Sequence, residues 1–360
     1  MPRPVLYVAI THHGFGHLTR TASVVAEIQQ QLPDLLPILV TNAPRWLIEA
    51  YLPGDFIHRP RALDVGVIQT DSLSVDKATT LAKLRQLQAQ AKSLIVAEVD
   101  FIQQNRVSLI LADIPPLAAA IAQESGIPCW MTSNFGWDFI YRAWEGEFVE
   151  IADWIAERYR TCDCLFRLPF HEPMSAFPRV VDVGLTGGTP RYSTTELQAA
   201  LNLRDQPEQT VLLTFGGLGL NQIPYRNLDH FPDWQFLTFD RQAPSLPNLR
   251  LLSHPYRPVD VMPLCRQVVS KPGYGTFAEA CRTDTPIISI TREDFAESAL
   301  LLEGIRNYCD HQILSPEEFF GPTWQFLHQP LHPPAYSQPI DVGGNEAIAD
   351  AVVDFFRKGG

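Results

Sequence analysis

A loop rich in histidine and glycine follows the first apolar run of the chain. In THHGFGHLTR, residues 11–20, Gly14 and Gly16 permit a tight turn, and the N-terminus of a following helix would favour an anion or an acidic partner. The third glycine of a dinucleotide fingerprint is absent because Thr19 stands in its place, and the chain has no P-loop motif. The stretch therefore predicts a strand-to-helix turn without a standard nucleotide motif.

His17 stands at the end of this turn, where its imidazole could act as a general base near neutral pH if an acid oriented its ring. Asp113 ends the apolar run LILAD, and we expect that strand beside the first one, which would bring the carboxylate to the imidazole. The alternative is that each residue only caps the helix that follows it. A metal site is not predicted, because His12, His13 and His17 lack further ligands.

A second glycine turn lies in SKPGYGTFAEA, residues 270–280. Gly273 and Gly275 turn the chain after an apolar strand, and a helix leaving near Thr276 would offer N–H groups to a diphosphate. Glu279 lies one turn into that helix and should contact neutral groups such as ribose hydroxyls, since a diphosphate would repel it. The alternative is a glutamate that the helix dipole favours in the first turn.

Two further stretches follow predicted strands of the same half. TFGGLGLN (214–221) carries Gly216 and Gly217, which allow close backbone approach but are weak evidence alone. TREDFAES (291–298) gathers charges, including Glu297, that suit sugar hydroxyls, although a solvated helix start explains them nearly as well. The absence of a D-x-D pair from the chain favours metal-free diphosphate binding by loops and a helix dipole.

Apolar runs of strand length alternate with helical patterns, which is typical of βαβ units and parallel sheets covered on both faces. The predicted strands are Val5–Ile10, Leu36–Thr41, Leu109–Asp113, Cys129–Ser133 and Cys164–Leu168, then runs within 210–217, 234–240, 249–254, 267–273 and 286–290. The predicted helices lie near 18–31, 76–104, 115–125, 150–160, 258–265, 275–283, 294–306 and 316–328.

The segment 184–209, rich in glycine, threonine and charge, separates the two alternating halves and is predicted to be a linker with one short helix. We predict an α/β fold of two doubly wound Rossmann-like domains facing across a cleft. The N-terminal Rossmann-like domain covers 1–190, the C-terminal Rossmann-like domain covers 205–345, and a final helix covers 346–360. Ligands of such sheets bind at the carboxyl ends of the strands.

Composition narrows the classes of partner. The 360 residues carry a net charge of −12, which argues against nucleic acid and against charge-driven docking on anionic lipid, although peripheral membrane contact stays open. The first apolar run is too short for a signal peptide, and no run suggests a transmembrane helix. The six scattered cysteines are predicted to be free thiols in a reducing cytoplasm. Nothing in the sequence predicts the oligomeric state.

The stretches GFGHLTR, SKPGYGTFAEA and TREDFAES together resemble the GT-B nucleotide-sugar glycosyltransferases, such as the peptidoglycan N-acetylglucosaminyltransferase and the UDP-glycosyltransferases. A closer similarity is to the glycosyltransferase-like N-terminal region of plant L-arabinokinases, carried also by SNFGWDFIY and FRLPFHEPMSAF. It runs from near Val5 to near Asp350. The kinase domain of those proteins lies outside the similarity, so no kinase activity is implied.

The resemblance implies that His17 is the acceptor-activating base or an acceptor-site residue, and that Asp113 is the acid orienting it. It also implies acceptor-side positions at Gly14, Gly16, Asn134 and Asp138, with Trp137 either beside them or in the core.

On the donor side, the resemblance implies that Glu279 holds the ribose and that Tyr256 and Arg257 line the nucleobase site. Glu297 would read sugar hydroxyls, but the family often has glutamine there, which leaves the sugar open. The diphosphate would lie against the glycine turns and Lys271; the full donor set is Gly216, Gly217, Tyr256, Arg257, Lys271, Gly273, Gly275, Thr276, Glu279 and Glu297.

The resulting hypothesis is an inverting, metal-independent glycosyltransferase with no cofactor, using a nucleotide sugar whose expected base is uracil and an unknown hydroxyl-bearing acceptor. Two alternatives stay open at this point. One is a non-hydrolysing epimerase that acts on a sugar nucleotide without an acceptor. The other is a non-catalytic module that binds a sugar nucleotide.

Overall fold

The chain folds into two parallel β-sheets with associated helices. The computed structural model describes residues 3–69, 75–217, 219–220 and 222–359. The structure divides into two compact units. The first contains the described residues up to Gln69, Val75–Gly187 and those from Asp341 on, and the second contains Gly188–Ile340. The chain thus returns to the first unit for its C-terminal helix.

The first unit holds a seven-stranded parallel sheet in the order β3-β2-β1-β4-β5-β6-β7. Because the order reverses direction beside β1, a crevice is expected between β1 and β4, at their carboxyl ends. Its strands are β1 Val5–Ile10, β2 Leu36–Val40, β3 Ile57–Arg59, β4 Leu109–Asp113, β5 Cys129–Ser133, β6 Cys164–Arg167 and β7 Val180–Asp182. Its helices are α1 Gly16–Gln31, α2 Arg45–Tyr51, α3 Lys77–Gln104, α4 Leu117–Ser125, α5 Trp137–Arg142, α6 Phe148–Tyr159 and the C-terminal α12 Gly344–Arg357.

The second unit holds a six-stranded parallel sheet in the order β10-β9-β8-β11-β12-β13, with its reversal beside β8. Its strands are β8 Thr210–Leu213, β9 Gln235–Thr238, β10 Leu249–Leu251, β11 Gln267–Ser270, β12 Ile287–Ile290 and β13 His311–Leu314. Its α-helices are α7 Thr194–Leu201, α8 Pro258–Val261, α9 Tyr274–Arg282, α10 Glu297–Tyr308 and α11 Pro316–Phe320, with 3₁₀ turns at Pro207–Gln209, Tyr225–His230, Met262–Leu264 and Gln325–His328.

The predicted α/β class and the paired Rossmann-like sheets are confirmed. Each predicted strand is present, but three short ones, β3, β7 and β13, were not predicted because none is a long apolar run. The helix predicted near 316–328 breaks after Phe320, where Gly321 follows, and resumes as a 3₁₀ turn. Helix α12 packs against α1 within the first unit.

Candidate active site

The crevice residues of the first unit meet because β1 and β4 are neighbours. Ile10 pairs in register with Asp113, so both strands end at the same level, as predicted. Gly14 then turns the chain with a φ of 67°, a left-handed conformation that side chains other than glycine rarely adopt. Gly16 begins α1, and the helix carries His17 in its first turn, buried among these elements.

The carboxylate of Asp113 accepts four hydrogen bonds and is fully buried. Its Oδ1 lies 2.9 Å from Nδ1 of His17 and 2.6 Å from Nη2 of Arg20. Its Oδ2 accepts from Nε of Arg20 at 2.7 Å and from the hydroxyl of Thr21 at 2.8 Å. The predicted pairing of His17 with Asp113 is therefore present, and Asp113 holds more than one partner.

Arg20, which was not among the predicted site residues, is the cation of this cluster and is 1% exposed. Burial alone would raise the pKa of Asp113, but the charges of Arg20 and His17 outweigh burial and hold that pKa well below its usual range. Arg20 also donates to Oδ1 of Asn134 at 2.9 Å and to the hydroxyl of Ser133 at 3.0 Å. The end of β5 is thereby joined to the ends of β1 and β4.

Nδ1 of His17 lies 2.9 Å from Oδ1 of Asp113 and also 2.9 Å from Nη2 of Arg20. A carboxylate oxygen can only accept, so the tautomer that hydrogen-bonds Asp113 carries its proton on Nδ1. In the neutral ring Nε2 then carries the lone pair, and no described residue hydrogen-bonds it. This tautomer suits a general base.

Aromatic rings enclose the imidazole of His17. Ring centroids of Phe135, Trp137 and His13 lie 5.7, 6.2 and 6.5 Å from it. Trp137 is 1% exposed, so it is a wall of the site rather than an open face for a sugar. His13 packs edge-on against Trp137 and accepts from the backbone N–H of Val67 at 3.3 Å.

Asp64 is a buried carboxylate of this site that sequence reasoning did not identify. Its Oδ2 accepts the indole N–H of Trp137 at 3.0 Å. Burial raises the pKa of Asp64 to about 6, and the charge of His17 opposes that rise. Asp64 lies in the segment 61–75, which has no periodic hydrophobic pattern and of which residues 70–74 lie outside the described residues.

Replacing Asp64 by asparagine should flatten the pH dependence of stability. A raised pKa in the folded state means that the native protein binds the proton more tightly, so wild-type stability is highest below the unfolded pKa and falls as pH rises to about 6. Between about pH 4 and pH 6 the wild type should lose roughly 2–3 kcal/mol relative to Asp64→Asn in urea titrations. The exposed Asp153→Asn serves as the control, and parallel curves for wild type and Asp64→Asn would contradict the prediction.

Asn134 and Asp138 were both predicted on the acceptor side, and the structure places them differently. Asn134 is buried beside Arg20, within the His17 cluster. The Oδ1 of Asp138 instead lies 2.2 Å from where a Cβ on Gly136 would be, against the N-terminus of its own helix α5. Burial raises the pKa of Asp138 to about 6. Its acceptor-side role stays a prediction.

The second crevice lies between β8 and β11 of the second unit. Gly216 follows β8 with a φ of 75°, and a Cβ there would lie 3.6 Å from Cε of Lys271, which follows β11. Gly217 continues the same turn and is exposed. Gly273 is the N-cap of α9 and, as a glycine, has no side chain that could cap the helix. Gly275 and Thr276 lie in the first turn.

Lys271 lies near two other charged residues, Arg292 and Glu297. Burial, together with the positive charge of Arg292, lowers the pKa of Lys271 to about 8, against the opposing charge of Glu297. Glu297 begins α10 and is buried, and the guanidinium of Arg292 lies 4.5 Å from the ring centre of Phe295. The motifs predicted after β8, β11 and β12 therefore do come together.

Two other predicted donor residues, Glu279 and Arg257, hydrogen-bond the backbone of the segment 188–192, which begins the second unit. Glu279 is buried in α9 and its Oε1 accepts the backbone N–H of Gly188 at 3.2 Å. Arg257 donates to the carbonyl of Thr189 at 2.5 Å and bonds Asp260 at 2.7 Å. The ring of Tyr256 lies 5.7 Å from that of Tyr192. Their roles toward ribose and nucleobase stay predictions.

Among the residues that the structure describes, no group of three or more histidine, cysteine, aspartate or glutamate side chains is arranged to hold a metal ion. Within those same residues, no helix has both the length and the apolar character needed to cross a bilayer. The cytoplasmic location stays a prediction.

Comparison with solved structures identifies the fold as GT-B. The calicheamicin glycosyltransferase matches with a TM-score of 0.60 and 16% identity, over the whole of both chains. A UDP-glucose:anthocyanidin 3-O-glucosyltransferase in complex with UDP matches with a TM-score of 0.61 and 11% identity, over 98% of this chain and 94% of that one. A Medicago truncatula UDP-glycosyltransferase complexed with UDP-glucose gives 0.58 and 12%, over 98% of both chains. The structural similarity establishes the fold alone at these low identities, and the predicted GT-B resemblance is confirmed at that level.

Among curated proteins, L-arabinokinase of Arabidopsis thaliana is 28% identical over 351 residues, which are 93% of this chain and 33% of that protein. The chain thus spans about a third of the length of this relative. No model of a protein family matches the chain. The similarity to L-arabinokinase that the sequence motifs predicted is confirmed.

Proposed function

We propose that the protein transfers a sugar from a UDP-sugar to a hydroxyl group, with inversion and without a metal ion. The observation that carries the proposal is the His17–Asp113 pair at the crevice of the first unit, set in a GT-B fold. Structures of similar fold are solved with UDP and with UDP-glucose, which supports the uridine donor.

The first unit would supply the base. Nε2 of His17 takes the proton from the acceptor hydroxyl, while Nδ1–H stays bonded to Asp113, whose charge stabilises the imidazolium. The acceptor oxygen forms the new bond to the anomeric carbon from the face opposite the UDP. The bond between that carbon and the diphosphate oxygen breaks, which inverts the configuration.

The second unit would hold the donor and stabilise the leaving group. Negative charge develops on the diphosphate, and the uncapped N-terminus of α9 together with Lys271 supplies positive potential there. Glycines at the turn let the diphosphate approach the backbone. Glu279 and Arg257 are the proposed contacts to ribose and base.

The donor half of the proposal is tested by the pH dependence of UDP binding. Lys271 has a pKa of about 8 in the free protein, so above that pH an anionic ligand must bind together with a proton. We expect UDP affinity to fall by roughly fivefold to tenfold between pH 7 and pH 9, measured by calorimetry or by thermal shift.

The variant Lys271→Met should bind UDP more weakly and lose this pH dependence, whereas Lys83→Met, at an exposed site on α3, should behave like wild type. A panel of ADP, GDP, UDP and their sugars should show the largest rise in Tm with the uridine compounds. A flat panel would overturn the proposed donor, and a pH dependence kept in Lys271→Met would overturn the role of the lysine.

A further inference from the structure

The cysteines of the second unit present a pair that the sequence does not reveal. Sγ of Cys281 and Sγ of Cys309 lie 2.6 Å apart, although the residues are separated by 28 positions. Cys281 is in the last turn of α9, and Cys309 directly follows α10. All six cysteines are free thiols in the structure.

We propose that Cys281 and Cys309 are a modification site, at which a thiol oxidant forms a reversible disulfide that staples α9 to α10. The two sulfurs are already in contact, so only a small closure to the roughly 2.0 Å bond is needed. Both helices are held by their own strands, since α9 follows β11 and α10 follows β12 in one sheet, so the pair is preorganised.

The chemistry balances with a disulfide oxidant such as oxidised glutathione. The thiolate of one cysteine attacks glutathione disulfide, which forms a mixed disulfide and releases one glutathione thiolate. The second cysteine then attacks the protein sulfur of the mixed disulfide, which forms the Cys281–Cys309 bond and releases the second glutathione. Two protein thiols are oxidised, two glutathione molecules are formed, and the two thiol protons end on them.

Accessibility selects the residue that reacts first. Cys281 is half-buried and Cys309 is buried, so the entering disulfide meets Cys281. The contact with Cys309 and burial raise the pKa of Cys281 well above its usual value, which keeps the thiolate fraction small and the first exchange slow. The second step is intramolecular and therefore fast.

The staple should stabilise the second unit. A link between positions 28 apart removes entropy from the unfolded chain, and both helices begin at the proposed donor site, one at Tyr274 and the other at Glu297. The disulfide itself does not depend on the proposed function, since it would form whether or not the protein transfers a sugar.

The test is to incubate the full-length protein with oxidised glutathione and count thiols in denaturant. We expect the count to fall from six to four, a peptide map to contain Cys281 linked to Cys309, and a phosphine reductant to restore all six. The oxidised protein should melt at a Tm roughly 5 °C or more above the reduced protein.

Single variants complete the test. Cys309→Ser should stop at the mixed disulfide and keep one glutathione on Cys281, while Cys265→Ser, a half-buried cysteine elsewhere in the unit, should still form the staple. The proposal is overturned if the wild type keeps six thiols, stops at the mixed disulfide, or links Cys162 to one of its neighbours Cys129 and Cys164. A lower Tm on oxidation would overturn the stabilising role.

Discussion

His17→Ala should lower kcat by roughly 10²–10⁴-fold and leave the affinity for UDP unchanged, because a general base contributes about that much and His17 lies in a different unit from the proposed donor residues. The hydrogen bond between Nδ1 of His17 and Asp113 supports the base role, because it leaves Nε2 as the nitrogen that can accept a proton.

Two variants serve as controls for His17→Ala. His12→Ala changes a neighbouring loop histidine that has no bond to Asp113 among the described residues, and it should keep most of the activity. Glu279→Ala should show the opposite split, with weaker UDP binding as its main effect. Full activity in His17→Ala would remove the base assignment, and equal losses in His12→Ala and His17→Ala would indicate a loop defect rather than lost proton transfer.

Asp113→Ala is expected to have the largest effect on stability. It leaves the buried guanidinium of Arg20 without its main counter-charge, and breaking a buried ion pair in this way costs about 3–5 kcal/mol. We expect denaturant unfolding to show that loss, together with loss of activity because His17 is no longer oriented.

The exposed pair of Arg167 with Asp182 provides the matched control, since Asp182 is 67% exposed and Asp182→Ala should cost no more than about 1 kcal/mol. Removing both buried charges in Arg20→Met/Asp113→Leu should recover much of the stability but none of the activity. Similar losses in the free energy of unfolding for Asp113→Ala and Asp182→Ala would show that the buried cluster does not contribute more to stability than an exposed ion pair.

The sequence predicted the pairing of His17 with Asp113 because two apolar runs of strand length end at these positions and because doubly wound sheets place such strands side by side. The donor motifs were predictable on the same ground, since each follows the carboxyl end of a strand. Local pattern and chain order were sufficient for these features.

Arg20 and Asp64 were not predictable, because burial of a charged group depends on partners distant in sequence. Arg20 is buried only because Asp113, Ser133 and Asn134 converge on it from two other strands. Asp64 lies in a loop with no period, and its contact with Trp137 spans 73 positions. The bonds of Gly188 and Thr189 to Glu279 and Arg257 were hidden for the same reason, within a segment interpreted as a linker.

The central claim is most directly tested by measuring UDP release from UDP-sugars in the presence and absence of a panel of hydroxyl-bearing acceptors, with the products resolved by NMR. We predict UDP release that depends on an acceptor, falls by at least about 10²-fold in His17→Ala, and yields a glycoside whose anomeric configuration is inverted relative to the donor. A UDP-sugar converted into its epimer without an acceptor would contradict the account in favour of an epimerase. UDP-sugar binding without either product, across the whole panel, would contradict it in favour of a binding module.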